Sequence, residues 1–162
     1  HTDYCTVTDK KNIVCKSSIL ETLPKDYRKL SILTVRSPIE AYISLRDNGW
    51  DIAIKDFNDY CERFELMVNN FASLNVPIIK YEDFCSKPDL VMKKICQLLH
   101  LSYNPNYKNL FYKIPMTGDS GRGRREEMRE IRPLAKKNIS ADILNAANQS
   151  PSYFRLSQML GY

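Results

Sequence analysis

Apolar positions along this chain fall into two rhythms. Leu30 to Val35 is short, apolar and partly β-branched, the pattern of a buried parallel strand, and Val76 to Lys80 repeats it. Between them Ile54, Phe57, Cys61, Phe64, Val68, Phe71 and Leu74 recur at three- and four-residue steps, which predicts a long amphipathic helix. Its aromatic stripe is read as core, not as a cofactor box. Pro38 to Arg46 predicts a helix with proline in its first turn and Asn48-Gly49 at its end. Ser86 is expected to cap a helix running from Lys87 or Pro88 to about Leu99, with His100 closing it.

Weaker patterns complete the chain. Lys11 to Cys15 reads as a short strand, and Leu20 to Lys29 as a loop or helical turn broken at Leu23-Pro24. Tyr103 to Pro115 is expected to be irregular, and Thr117 to Arg125 to form a Gly/Arg loop. Ser140 to Ala147 and Pro151 to Leu160 read as two short helices. Strands alternating with helices predict an α/β layered fold with a central parallel sheet. The length of 162 residues predicts one domain, 1–162, able to bury a real core.

Composition narrows the function classes. Apolar residues at 43% and charged residues at 27% are those of a globular protein and argue against a disordered chain. The net charge of +5 favours anionic ligands such as phosphate or sulfate esters. Basic residues are interleaved with acidic ones, which does not argue for nucleic acid. No apolar run approaches the ~20 residues of a membrane span. Cys5, Cys15, Cys61, Cys85 and Cys96 include no CxxC pair, and the two histidines lack ligand spacing, so no metal site is expected. Cys61, Cys85 and Cys96 sit inside apolar patterns as buried thiols, which suggests a reducing, cytoplasmic setting. Asn138-Ile139-Ser140 is a glycosylation sequon of a kind common by chance. The start at His1 suggests that an N-terminal portion, with any targeting signal, is missing.

The candidate chemistry lies where the strands end. Arg36 follows the first strand, where open α/β sheets bind ligands. Ser44 lies two helical turns beyond it, so a guanidinium and a hydroxyl can close on one phosphate near a helix N-terminus. The bland alternative is a surface arginine and a helix-face serine. Tyr81 follows the second strand and either stacks a purine or packs in the core. Glu82 and Asp83 cap the turn, pair with a basic neighbour, or serve as general acid and base. Gly118, Gly121 and Gly123 permit backbone N–H groups to converge on an anion, with Arg122, Arg124 and Arg125 supplying charge; the alternative is a solvated loop.

In order and spacing these motifs resemble the sulfotransferases that use 3′-phosphoadenosine 5′-phosphosulfate (PAPS), over roughly Ile13 to Tyr162. Arg36 and Ser44 match that family's arginine and serine, eight positions apart, that hold the 3′-phosphate. Tyr81-Glu82-Asp83 and the proline-led segment from Pro88 match its Tyr-Glu-Asp segment and following helix, with the tyrosine near the adenine. Lys16-Ser17-Ser18 with Leu23-Pro24 matches in part its Lys-x-His segment. Gly118 to Arg122 resembles the C-terminal loop of bacterial members.

The resemblance implies a P-loop-NTPase-like layered fold, incomplete at its N-terminus, and sulfuryl transfer from PAPS to an acceptor hydroxyl or amine on a small molecule or glycan. Arg36, Ser44, Tyr81, Gly121, Arg122 and Gly123 would hold the nucleotide, and Lys16 would neutralise the leaving phosphate. Two features depart from the family. No Gly/Ser/Thr-rich phosphosulfate loop precedes Lys11, and Ser18 stands where the family has its catalytic histidine. A serine hydroxyl is too weak a base, which leaves Glu82, a residue upstream of His1, or no base. The competing expectation is a non-catalytic binding or scaffold domain. A kinase would need a Gly-rich Lys-Ser/Thr loop that the sequence lacks. Trp50 in the loop Asn48 to Ile52, and the tyrosines of Tyr103 to Pro115, are candidate acceptor contacts.

Overall fold

A computed structural model describes residues 5–9, 12–15, 30–113, 131, 133 and 135–162, with 5–9, 12–15 and 111–113 described through their backbone. Lys16, Ser18, Gly121, Arg122 and Gly123 lie outside these residues, as does the rest of the expected Gly/Arg loop. The described chain is mixed α/β, mostly helical, with a small two-stranded parallel sheet. Its strands are β1 (Cys5–Asp9), β2 (Asn12–Cys15), β3 (Leu33–Val35) and β4 (Ile78–Lys80). Its helices are α1 (Pro38–Asp47), α2 (Phe57–Ser73), α3 (Tyr81–Ser86), α4 (Pro88–Leu99), α5 (Ala141–Gln149) and α6 (Pro151–Leu160). A 3₁₀ helix covers Tyr107–Lys113, inside the stretch expected to be irregular.

β1 and β2 form an antiparallel hairpin in which Cys5 faces Cys15 and Val7 faces Ile13. β3 and β4 pair in parallel, Leu33 with Ile78, Thr34 with Ile79 and Val35 with Lys80. Both strands are shorter than their apolar runs. The residue before Ile78 is Pro77, which has no N–H for the ladder, and the last contact on that side is Leu33 N donating to Pro77 O at 2.9 Å. Leu30 and Ile32 are therefore left outside the strand and exposed.

α2 is the spine. Asp56 caps it by accepting from Asp59 N at 2.8 Å, and buried Asp59 accepts in turn from Lys55 N and Arg63 Nε. Along one face, Phe57 and Cys61 pack with Ile39, Tyr42 and Ile43 of α1 and Ile143 and Ala147 of α5. One turn on, Phe64 and Val68 pack with Leu33 and Val35 of β3 and Leu156 and Leu160 of α6. Tyr60 touches both clusters. Leu74, placed on this stripe by its spacing, caps the helix and is exposed.

Local chemistry explains the helix ends. Gly49 follows α1 at φ +68°, in the left-handed region where glycine has no Cβ penalty. His100 closes α4 at φ 55° as expected. Ser86 does not cap α4: its hydroxyl donates to Asp83 O at 3.2 Å, and it ends α3. Lys87 precedes Pro88, and a residue before proline is driven out of the α region. Its φ −136° and ψ 59° split one apparent helix into two.

Cys61, Cys85 and Cys96 are free and buried. Burial, then the charge of Glu65, pushes the Cys61 thiol up to about 12, so it packs as an inert apolar group. Leu156 has no exposed surface and closes the second cluster against α2. Leu156→Ala is expected to lower unfolding stability by about 2–5 kcal/mol in a urea melt. A loss below about 1 kcal/mol would mean that α6 does not close this core.

Candidate functional site at the carboxyl end of the parallel pair

Because Val35 pairs with Lys80, the next residues, Arg36 and Tyr81, emerge side by side from the carboxyl end of the sheet. Neighbouring strands lie about 4.8 Å apart, and Arg36 Cζ sits 5.0 Å from the centre of the Tyr81 ring. Such a cation–π contact is worth about 0.5–1 kcal/mol at a partly exposed site. Arg36 Nε and Nη2 also donate to a single oxygen of Glu40, Oε2, at 3.1 and 2.6 Å. Both side chains of this ion pair are mostly withdrawn from solvent, at 16% and 21% exposure, so it is screened less than a surface pair.

Ser44 is half-buried on α1, one turn beyond Glu40 on the same helix face. The guanidinium is thus bonded to Glu40, not to the Ser44 hydroxyl, and the two expected clamp residues share a face with a carboxylate between them. Ser44 O accepts from the side chain of Asn48 at 2.7 Å, which helps to end α1.

Glu82 ties three segments together. Its Oε1 accepts from Ser37 N at 2.9 Å, and its Oε2 accepts from the Tyr162 hydroxyl at 2.6 Å. A carboxylate at the start of α1 also suits the helix dipole. At this N-terminus, beside which the sequence placed a phosphate, an internal carboxylate thus already takes the Ser37 N–H. With both oxygens engaged, Glu82 acts as a cross-brace; its partners are a backbone amide and a phenol, not the basic neighbour of the expected pairing. Asp83 is exposed, and its backbone carbonyl accepts from Lys87 N and Ser86 Oγ.

Lys80 reinforces the brace. Its ammonium donates to Gly161 O at 2.7 Å and lies 4.6 Å from the centre of the Tyr162 ring. Gly161 has φ +69°, and a Cβ there would sit 3.1 Å from Lys80 Nζ, so both conformation and space favour glycine. Burial and the hydrogen bond to Glu82 raise the Tyr162 phenol above its usual range.

The candidate acceptor loops are Asn48 to Ile52 and Tyr103 to Pro115. Trp50 and Ile52 are exposed, at 61% and 94%. In the other loop Tyr103 Oη and Lys108 Nζ both donate to Asp89, which fastens the loop to the start of α4. A shallow cleft of about 290 Å³ opens between α1 and α5, lined by Ile43, Arg46, Asp47, Asn138, Ser140 and Ile143. It includes none of Arg36, Ser44 and Tyr81, and its mixed lining and the Lys137–Asp47 ion pair at its rim give no converging chemistry. Among the described residues no His, Cys, Asp and Glu cluster suits a metal ion, and no helix is long and apolar enough to cross a membrane.

The sequence analysis did not single out Glu40, Lys80 or Tyr162. Glu40 carried a signal, four residues from Arg36 at a spacing that lets side chains meet along a helix. Tyr162 carried none, because 80 residues separate it from Glu82. Compared with known proteins, the chain matches no family model, no curated protein and no solved structure.

The raised phenol gives Tyr162 a pH signature. A tyrosine held protonated stabilises the fold fully below its ordinary value of about 10, and that contribution is lost as pH rises through its higher folded value. Tyr162→Phe should cost about 1 kcal/mol at pH 7, the usual worth of a hydrogen bond reduced by partial exposure. Melts from pH 7 to 11 should show the gap between wild type and variant closing at the alkaline end. A gap that widened with pH would contradict the hydrogen bond to Glu82.

Proposed function

We propose that the chain belongs to a PAPS-dependent sulfotransferase with a P-loop-NTPase-like layered architecture, and that the carboxyl end of β3 and β4 receives the nucleotide. The observation that carries this reading is Arg36. Its guanidinium stands just beyond a parallel strand, against Tyr81 and on the helix face that continues to Ser44. A planar fork of donors suits a phosphate ester. The position suits the general rule for ligands of open parallel sheets.

In this reading Arg36 and Ser44 hold the 3′-phosphate, and Tyr81 borders the adenine. Gly121, Arg122 and Gly123 of the Gly/Arg loop add donors and charge. The acceptor hydroxyl or amine, on a small molecule or glycan, attacks sulfur in line. The bond from sulfur to the bridging oxygen breaks, and 3′-phosphoadenosine 5′-phosphate leaves with that electron pair. Lys16 neutralises the charge that builds on the bridging oxygen. Positioning and electrostatics supply most of such a rate gain, as in phosphoryl transfer. The acceptor's proton needs a base other than Glu82, whose two oxygens are already hydrogen-bonded.

A second reading, a non-catalytic binding or scaffold domain of the same architecture that has lost the phosphosulfate loop and catalytic base, is favoured by that engagement of Glu82 and by Ser18 in place of the family histidine. Calorimetric titration with 3′-phosphoadenosine 5′-phosphate and with AMP tests the nucleotide site. Arg36→Ala should weaken the bisphosphate by about 10- to 100-fold, the worth of a charge-assisted hydrogen bond, and leave AMP nearly unchanged. Equal effects on the two nucleotides would overturn the sulfotransferase reading, and no affinity for either would leave the scaffold domain.

A further inference from the structure

An arginine side chain is long and loses much rotamer freedom when a ligand fixes it. Arg36 has already lost much of that freedom. Glu40 holds its Nε and Nη2 edge, and its cationic centre lies against the Tyr81 ring. A guanidinium has five N–H donors, and Glu40 engages one edge of the fork. Nη1 has no hydrogen-bond partner among the described residues and is not sealed from solvent. The terminal edge, between Nη1 and Nη2, keeps the two parallel donors of a bidentate phosphate contact.

We propose that Glu40 is a positioning residue of the anion site: it grips the inner edge of the Arg36 guanidinium so that the terminal edge is preset for a phosphate monoester. This rests on the reading of Arg36 as the nucleotide anchor. The opposing possibility is that Glu40 competes with the phosphate for the arginine. The two make opposite demands on the charge of residue 40. A positioning partner needs an acceptor at Nε, which glutamine also offers. A competitor needs the negative charge, so its removal strengthens binding.

The test titrates 3′-phosphoadenosine 5′-phosphate into the full chain and into Arg36→Ala, Glu40→Ala and Glu40→Gln, each first shown to melt cooperatively. Glu40→Ala should bind about tenfold more weakly, the cost of ordering a freed arginine. Glu40→Gln should stay within about threefold of wild type. The Arg36 Nε–H resonance, in a ¹⁵N-edited spectrum without nucleotide, should be slow to exchange in wild type and Glu40→Gln and lost in Glu40→Ala. Equal or tighter binding by Glu40→Ala, while Arg36→Ala binds weakly, overturns the positioning role alone. Unchanged binding by Arg36→Ala overturns the nucleotide site and this inference with it.

Discussion

The parallel register of β3 and β4 is the constraint on which the rest depends. Three residue pairs fix it, and the last, Val35 with Lys80, decides which side chains emerge together at the carboxyl end of the sheet. A slip of one residue would turn every side chain of one strand to the opposite face. Val35 would then leave the cluster it shares with Phe64 and Leu156, and Arg36 would no longer meet Tyr81. So short a sheet cannot hold its register by ladder bonds alone. The apolar face of α2, with α6 closing over it, sets the register by burial, and so the core spine determines the geometry of the charged cluster.

Glu82 adds a second constraint of a different kind. Packing orients the strands and seats α1 against α2, and Glu82 adds a polar tie at the turn where α1 leaves β3. A carboxylate that accepts from Ser37 N and from the Tyr162 hydroxyl connects that turn to a segment distant in sequence. Lys80, one residue beyond Ile79 on β4, grips the same segment through Gly161 O. The turn carrying Arg36 is thus braced from two sides by residues that hold no ligand in the proposed mechanism. Bracing of this sort holds the cluster in one geometry without a deep pocket around it.

Much of the fold was legible because its signals are local. The three- and four-residue steps of α2 name its buried face directly, with Leu74 as the exception, since a cap residue turns away from the stripe. Asn48-Gly49 marks the end of α1 through backbone chemistry that needs no partner. Signals failed where a neighbour in sequence or space decides the outcome. Leu30 and Ile32 are as apolar as Leu33, but Pro77 on the facing strand removes their ladder partner. Ser86 has the right side chain for a cap, yet Pro88 dictates the conformation of Lys87 between them. Arg36 and Tyr81 were read as following strands, and the register does set them side by side. Glu40 stood at a readable spacing, whereas the contact between Glu82 and Tyr162 is purely tertiary.

The seat of Gly161 beside Lys80 bears on which substitutions this corner tolerates. Any residue with a Cβ at position 161 must adopt a left-handed φ and displace the Lys80 ammonium, which would loosen Tyr162 from Glu82 and, with it, the turn that carries Arg36.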